Sequence, residues 1–541
     1  MSTLQPVVVR DLAVSFRDVT ALSGIDLVAQ PGRRIGLVGE NGTGKSTLLR
    51  AVAGRLPASA RVSGTVEAPR VPGDLVLLGQ EPPFRNDRTI GEVLAATLRP
   101  LREAVRRVEE LAQQMSGDLH DDTSQAAYAA SLEYAVDHDA WDADRRAEVA
   151  AHELGLGTLD PAREVGTLSG GQRTRLAIAT VMTTRPACLL LDEPTNHLDD
   201  DAIEVLTRFL LDLPGVVLLA SHDRVLLDDV CTDLVDLDPT AFGTDGQGGR
   251  RFGGGWSDYV ASREDARRRW EETYADQQDE LDRLRAGTKI GTAQIAHNRG
   301  PTDNDKFIYK AKGAKVESTL SRRKRDARRR LDSAERDQMR KPPKPLVFRH
   351  RLAEETDSGR LVQVRGLVVS GRLCLDRLDV EAGEHLLVTG ANGSGKSTLL
   401  GVLAGRLTPT VGSVSVGGRV AELAQDVTFP DRARRAADVY ADAVAGLEDA
   451  PALRDLGLVH PRDHHRPVGL LSVGQRRRLG LAVAVAQGPD LMLLDEPTNH
   501  LSPALAGEIE EALGRSPGAV VVASHDRWLR RRWEGSVHAL G

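Results

Sequence analysis

Cysteine is nearly absent from this chain of 541 residues: Cys188, Cys231 and Cys374 stand alone and far apart. That scarcity excludes a disulfide scaffold, a Cys-rich zinc site and a four-Cys iron–sulfur cluster, and it fits a reducing compartment. No apolar run approaches the ~18–20 residues that a membrane-spanning helix needs. The opening MSTLQPVVVRDL lacks the apolar core of a secretory signal. Secretion and transmembrane transport by this chain alone are therefore not expected, and a cytoplasmic location is. A net charge of −7 leaves no global positive field, so any surface for nucleic acid must be local. Lysine is also scarce: 10, against 61 arginines. Two are Lys45 and Lys396; the other eight all fall between Lys289 and Lys344. One reading is that helical surfaces tolerate either Lys or Arg; the sharper one is that the window serves a different task.

What the chain does have, it has twice. GENGTGKST at 39–47 returns as GANGSGKST at 390–398, and LSGGQRTRL at 168–176 as LSVGQRRRL at 471–479. LLDEPTNHL and ASHDR are likewise repeated, and the last three pairs share one offset, 303. Ordered repetition of this kind means two copies of one domain in tandem. In each copy a β-like run precedes a strand that enters a Gly-rich loop, and the loop opens a helix of good helix formers. CLLLDEP and LMLLDEP read as buried parallel strands ending in carboxylates. The expected class is α/β with a mainly parallel core sheet in each copy.

The copies differ in length between motifs. From Lys45 to Ser169 is 124 residues, but from Lys396 to Ser472 only 76. The excess lies mostly after Gln80. About 92–153 carries Leu94, Leu98, Leu101, Val105, Val108 and Leu111 at helical spacing. It reads either as an inserted helical arm or as a larger helical subdomain.

The Gly-rich loops carry the chemistry. Glycines let backbone N–H groups wrap phosphate oxygens, the lysine reaches the β and γ phosphates, and the hydroxyl binds Mg²⁺. Gly39, Gly42, Gly44, Lys45 and Ser46 fill these roles once; Gly390, Gly393, Gly395, Lys396 and Ser397 fill them again. Asp192 and Asp495 follow apolar strands, where a carboxylate holds Mg²⁺ or its waters. Glu193 and Glu496 come next and can polarise water. His222 and His525, each in SHDR, are placed to contact a γ-phosphate.

These motifs in this order resemble the ATP-binding-cassette ATPases. The resemblance implies that each signature caps the ATP held by the other copy. Site one would comprise Gly39 to Thr47 (with Glu40, Asn41 and Thr43), Gln80, Asp192, Glu193 and His222, closed by Leu471, Ser472, Val473, Gly474 and Gln475. Site two would comprise Gly390 to Thr398 (with Ala391, Asn392 and Ser394), Gln425, Asp495, Glu496 and His525, closed by Leu168, Ser169, Gly170, Gly171 and Gln172. ATP and Mg²⁺ are the implied cofactors, with Ser46, Gln80 and Asp192, then Ser397, Gln425 and Asp495, around the metal. Phe16 sits where the family stacks an aromatic on adenine, and nothing near Val369 matches it. The second copy departs twice: Val473 replaces a signature glycine, and Ser502 replaces the counterpart of Asp199. Unequal hydrolysis at the two sites is the expectation.

Between the copies, residues 262–344 hold 23 Lys/Arg against 15 Asp/Glu, and 306–344 alone reach +10. Trp270, Tyr274, Leu281 and Leu284 form one sparse stripe; Val316, Leu320, Ala327, Leu331 and Ala334 form another. Two narrow seams predict an antiparallel helical hairpin, projecting roughly 40 Å. Its tip, about 287–313, contains Lys289, His297, Arg299, Lys306, Phe307, Tyr309, Lys310 and Lys312. Cations mixed with stacking rings suit RNA; the alternative is a solvated spacer.

Tandem cassettes with a charged helical linker resemble the ABC-F proteins over essentially the whole chain. The domains would be 1–260, a linker at 261–345, and 346–541. The resemblance implies a monomer whose cassettes close on each other and which binds the bacterial ribosome at the exit site. There the linker approaches 23S rRNA and the peptidyl-site tRNA, and the first-cassette insert meets the side of the site. The long tip and Arg bias look like the antibiotic-resistance members from high-GC, drug-producing bacteria, which protect the ribosome from macrolide-, lincosamide- or streptogramin-type drugs. A housekeeping ABC-F translation factor and the ATPase subunit of a drug exporter remain the alternatives.

Overall fold

A computed structural model describes residues 4–540 apart from 18, 40–41, 72, 81, 116–121, 197, 238–248, 289–321, 323–324, 327, 340, 342–347, 349, 357–358, 391–392, 448–449 and 499–502. The chain forms two compact units: Met1–Asp238 with Gly248–Ser257 and Pro345–Gly541, and Pro239–Gln247 with Asp258–Lys344. Both copies of the repeated domain thus share one unit.

Each copy is built on a parallel sheet, as the apolar runs predict. In the first, the strands β3 (Arg34–Val38), β5 (Leu75–Leu78), β6 (Cys188–Asp192), β7 (Val216–Ala220), β8 (Asp233–Asp236) and β9 (Arg250–Gly253) lie in the order β5-β6-β7-β3-β8-β9. All pair in parallel except β9. In the second, β12 (His385–Thr389), β14 (Val420–Leu423), β15 (Leu491–Asp495), β16 (Ala519–Ala523) and β17 (Ser536–Ala539) lie in the order β14-β15-β16-β12-β17. Strands β6, β7, β15 and β16 are buried at every residue, which is why they read as unbroken apolar runs rather than alternating ones. A three-stranded antiparallel sheet flanks each core: β1 (Val7–Phe16) between β2 (Val19–Ala29) and β4 (Ala60–Glu67), and β10 (Arg360–Val369) between β11 (Leu373–Glu381) and β13 (Val411–Val416).

The first-copy insert is helical: α2 (Ile90–Met115), α3 (Asp122–Asp137) and α4 (Ala143–Glu153). From the predicted stripe, Leu98, Leu101, Val108 and Leu111 are buried. Leu98, Leu101 and Val108 pack with Ala135, Ala140, Ala143 and Ala147. The insert is tied to the helix α5 (Gly170–Thr184). His138 Nδ1 contacts Thr184 O at 2.9 Å and its Nε2 contacts Asp74 Oδ1 at 2.9 Å. Arg146 donates to Thr183 O at 2.8 Å.

One helix runs Trp256–Thr288, and from Asp258 onward it belongs to the smaller unit. It starts several residues before the linker boundary read from sequence. Trp270 and Leu281 of the first stripe are buried. Arg285 meets Glu335 at 3.2 Å, and Gln277 accepts from the Met339 N–H at 2.8 Å. As one number falls the other rises, the sense of antiparallel segments. Val316, Leu320 and Ala327, and the tip residues Lys289, His297, Arg299, Lys306, Phe307, Tyr309, Lys310 and Lys312, lie outside the described residues.

Candidate functional site: two phosphate loops in one cleft

Each Gly-rich loop leaves the C-terminal end of a central strand (β3 or β12) and enters a helix, Lys45–Val52 or Lys396–Leu403. The first-turn N–H groups of a helix have no partner within the helix itself, which makes its N-terminus an anion-binding site. The loops need glycine because the backbone is left-handed: φ is 92° at Gly42 and 98° at Gly44, against 86° at Gly393 and 98° at Gly395. A Cβ on Gly44 would stand 2.6 Å from Ala21 O, and one on Gly395 would stand 2.6 Å from Arg372 O. Lys45 and Lys396 are buried, and each donates to the first loop glycine, Gly39 O at 2.8 Å and Gly390 O at 2.9 Å. Each ammonium is thereby folded over its own loop. Burial pulls the Lys396 pKa down against the pull of Glu496 and Asp495.

The strand-end carboxylates converge on the loops. Ser46 Oγ donates to Asp192 Oδ1 at 3.0 Å, and Ser397 bonds Asp495 likewise. A hydroxyl beside a carboxylate supplies the hard oxygen donors that Mg²⁺ prefers, so these residues fit the ion. Gln80 and Gln425 are exposed, each two residues beyond its strand, β5 or β14.

Glu193 and Glu496 hold positive φ, 52° and 50°, unusual for a residue with a Cβ. Glu193 Oε2 accepts from the His222 N–H at 3.1 Å, and His222 Nε2 lies 3.4 Å from Oε1. Glu496 Oε1 accepts from the His525 N–H at 3.0 Å, and Oε2 from the Ser524 hydroxyl at 3.2 Å. Burial pushes both carboxyls up to about 7. Burial and the nearby Lys396 push His525 down to about 4. A carboxyl poised near neutrality and backed by histidine is suited to exchange a proton with water.

The signatures begin helices. Ser169 and Ser472 are reciprocal caps: their hydroxyls accept from Gln172 N and Gln475 N at 3.2 Å, and their own N–H groups donate to the glutamine side chains. This geometry is the reason for the S-x-x-Q spacing. Gln475 also donates to the buried Asp463 at 3.0 Å.

A cleft of about 1980 Å³ is lined by both phosphate loops, Gln80, Gln425, Asp192, Asp495, Glu193, Glu496, His222, His525 and Ser169–Gln172. Leu471–Gln475 are not among the residues that line it. Phe16 packs against the core beside it and is not on its lining. Glu40, Asn41, Ala391, Asn392 and Ser502 lie outside the described residues.

Three participants escaped the sequence reading. Arg224, buried, pairs across the cassettes with Glu510 and Asp526. Arg477, also buried, bonds main-chain oxygens of its own cassette. Asp463 braces Gln475. The repeated Arg of SHDR was a signal for the first; the exchange of Thr174 for Arg477 inside an otherwise matching motif was a signal for the second.

Duplicated phosphate loops, strand-end carboxylates and serine-capped signature helices define a tandem ATP-binding-cassette ATPase. Residues 22–196 and 376–499 each match the family described as ABC transporter. The chain is 39% identical over 529 residues to the tylosin resistance ATP-binding protein TlrC of Streptomyces fradiae, spanning 96% of this chain and 94% of that one. It is 32% identical over 552 residues to the energy-dependent translational throttle protein EttA of Mycobacterium tuberculosis, spanning 96% and 89%. The archaeal ribosome recycling factor aABCE1, solved with the ribosomal stalk protein aP1, shares the fold: TM-score 0.52 at 18% identity, over 94% of this chain and 83% of that one. The chain belongs to the ABC-F family of tandem ATP-binding-cassette ATPases.

Proposed function

We propose that this ATPase is a cytoplasmic ribosome-protection factor. With ATP bound, it closes as a monomer in the exit site of the bacterial ribosome, near 23S rRNA and the peptidyl-site tRNA. It displaces drugs of the macrolide, lincosamide or streptogramin type from the peptidyl transferase centre or upper exit tunnel, and hydrolysis drives its release. The observation that carries the reading is the 39% identity to a tylosin resistance protein over 96% of the chain. Residues 289–312 supply the cations and rings for the remote contact.

In this reading the glycine loops and Lys45 or Lys396 bind the triphosphate. Ser46, Gln80 and Asp192, and Ser397, Gln425 and Asp495, hold Mg²⁺, which when bound neutralises charge on the β and γ phosphates. Glu193 and Glu496 take the proton of the attacking water, and His222 and His525 orient the glutamates and face the γ-phosphate. A housekeeping translation factor is the second reading, favoured by the 32% identity to EttA.

Cell-free translation with a drug titration tests the proposal. Added protein is expected to restore synthesis in the presence of a macrolide, lincosamide or streptogramin. Replacing Ala293–Tyr309 by a short Gly/Ser turn should abolish the rescue and spare ATP binding. No rescue by the intact protein across the inhibitory range for all three classes would favour the translation factor. Lowered intracellular drug without rescue of purified translation would favour an exporter subunit.

A further inference from the structure

The two signature helices differ at the second residue after their glutamine. In α5 it is Thr174, whose hydroxyl turns back to Gly170 O of its own helix at 3.1 Å. In the helix Val473–Ala486 it is Arg477, 2% exposed. Its Nη1 donates to Gln425 O at 2.9 Å; its Nη2 donates to Asp495 O at 2.5 Å and to Glu496 O. One planar fork therefore joins three parts of the second site: the glutamine after β14, the carboxylate ending β15, and the glutamate that follows. Threonine is too short to make that span.

Burying a guanidinium costs several kcal/mol unless it is well bonded. Three carbonyls with Asp495 and Glu496 nearby offset part of that cost, although Nε finds no partner among the described residues and burial still pulls the pKa down, and the fork fixes what it touches. Glu496 sits at φ 50°, a conformation that persists only when its surroundings hold it. Arg477 bonds the carbonyl of that same residue, while His525 N–H and Ser524 Oγ hold the carboxylate. The first site has the positive φ at Glu193 but threonine in place of the fork.

We propose that Arg477 is a positioning residue for the second ATP site alone, fixing Glu496 and the Gln425 segment in hydrolytic register, so that the two sites are built to turn over differently. This rests on the reading of Glu193 and Glu496 as the water-activating groups. Arg477 acts through main-chain oxygens and not on the nucleotide, so its loss alters turnover more than binding. Its position is also diagnostic. The helix carrying it begins at the signature assigned to site one, so general damage to the helix would harm site one as well.

The test measures ATP hydrolysis by the full chain in two backgrounds: Glu193→Gln, where site two alone turns over, and Glu496→Gln, where site one alone does. In the first, Arg477→Thr is expected to lower kcat about ten- to a hundredfold, the scale of a misplaced catalytic group. KM for ATP should stay within about twofold, because uniform binding is not touched. In the second background kcat should change by less than about twofold. Arg477→Lys, with the charge but no fork, should fall between wild type and Arg477→Thr at site two. An unchanged site-two rate, or equal losses in both backgrounds, overturns the inference while leaving the glutamate reading intact. Full turnover in the Glu193→Gln, Glu496→Gln double variant overturns that reading, and the inference with it.

Discussion

Arg224 Nη2 lies 2.6 Å from Asp526 Oδ2, so the SHDR motif of one cassette holds the SHDR motif of the other. The reciprocal pair, Arg527 with Asp223, is longer at 3.7 Å. Glu510 joins on the Arg224 side only, where the first copy has Thr207 at the matching position. Thr498 donates to the same Asp526 oxygen at 2.8 Å. Each motif also carries a histidine of one phosphate site, so this partly buried node ties the two sites together off-centre. Arg224→Ala would leave the partly buried Glu510 with Arg532 and Asp526 with Thr498, removing charge-assisted bonds worth about 1.5–3 kcal/mol. Arg531→Ala, at an exposed pair with Asp229, should cost at most about 1 kcal/mol. Thermal unfolding of the two variants side by side checks the difference.

The glycine loops allow a sharper test. Gly44→Ala would place a Cβ 2.5 Å from Leu22 Cδ2 and 2.6 Å from Ala21 O, at φ 98°. Backbone cannot give way as a side chain can. Loss of nucleotide at site one is expected, with site two still able to bind. Equilibrium binding of a fluorescent ATP analogue should fall from two sites to one.

Glu193→Gln with Glu496→Gln removes both candidate bases and keeps side-chain shape. Removing a positioned base costs about 10²–10⁴ in rate. Turnover should fall by that factor with ATP still bound, and the protein should accumulate on ribosomes in a sedimentation assay.

His138 gives a pH dependence. Both of its ring nitrogens face acceptors, Asp74 Oδ1 and Thr184 O, and only an imidazolium donates to both. Burial pulls its pKa down, but the Asp74 and Thr184 bonds outweigh this and the net shift is upward from 6.5. A histidine raised by folding stabilises fully below its unfolded value and loses that contribution as pH rises through its folded one. The melting temperature should therefore fall above about pH 6.5, and His138→Gln should flatten that part of the profile.

Much of the molecule was legible in the residue order. A β-like run, an apolar run, a glycine loop and the helix it opens each have local causes, and duplication at a fixed offset made them hard to mistake. The insert was legible as helix because Leu98, Leu101 and Val108 bury at helical spacing. What it docks against was not, since His138 and Asp74 are 64 residues apart and one histidine in a helix carries no address.

The sequence by itself determined which atoms are available at each phosphate site, because glycine φ, serine capping and strand-end carboxylates are short-range consequences of residue type. Only the tertiary structure decided which of them meet. It put Glu193 and Glu496 in surroundings that raise their carboxyls to about 7, since burial belongs to the packed sheet and not to the motif. It placed Ser169–Gln172 on the shared cleft, because cassette placement follows from long-range pairs such as Arg224 with Asp526. It also turned one changed residue, Arg477, into a three-way tie at one site, because the carbonyls it binds come from segments 18 to 52 residues away.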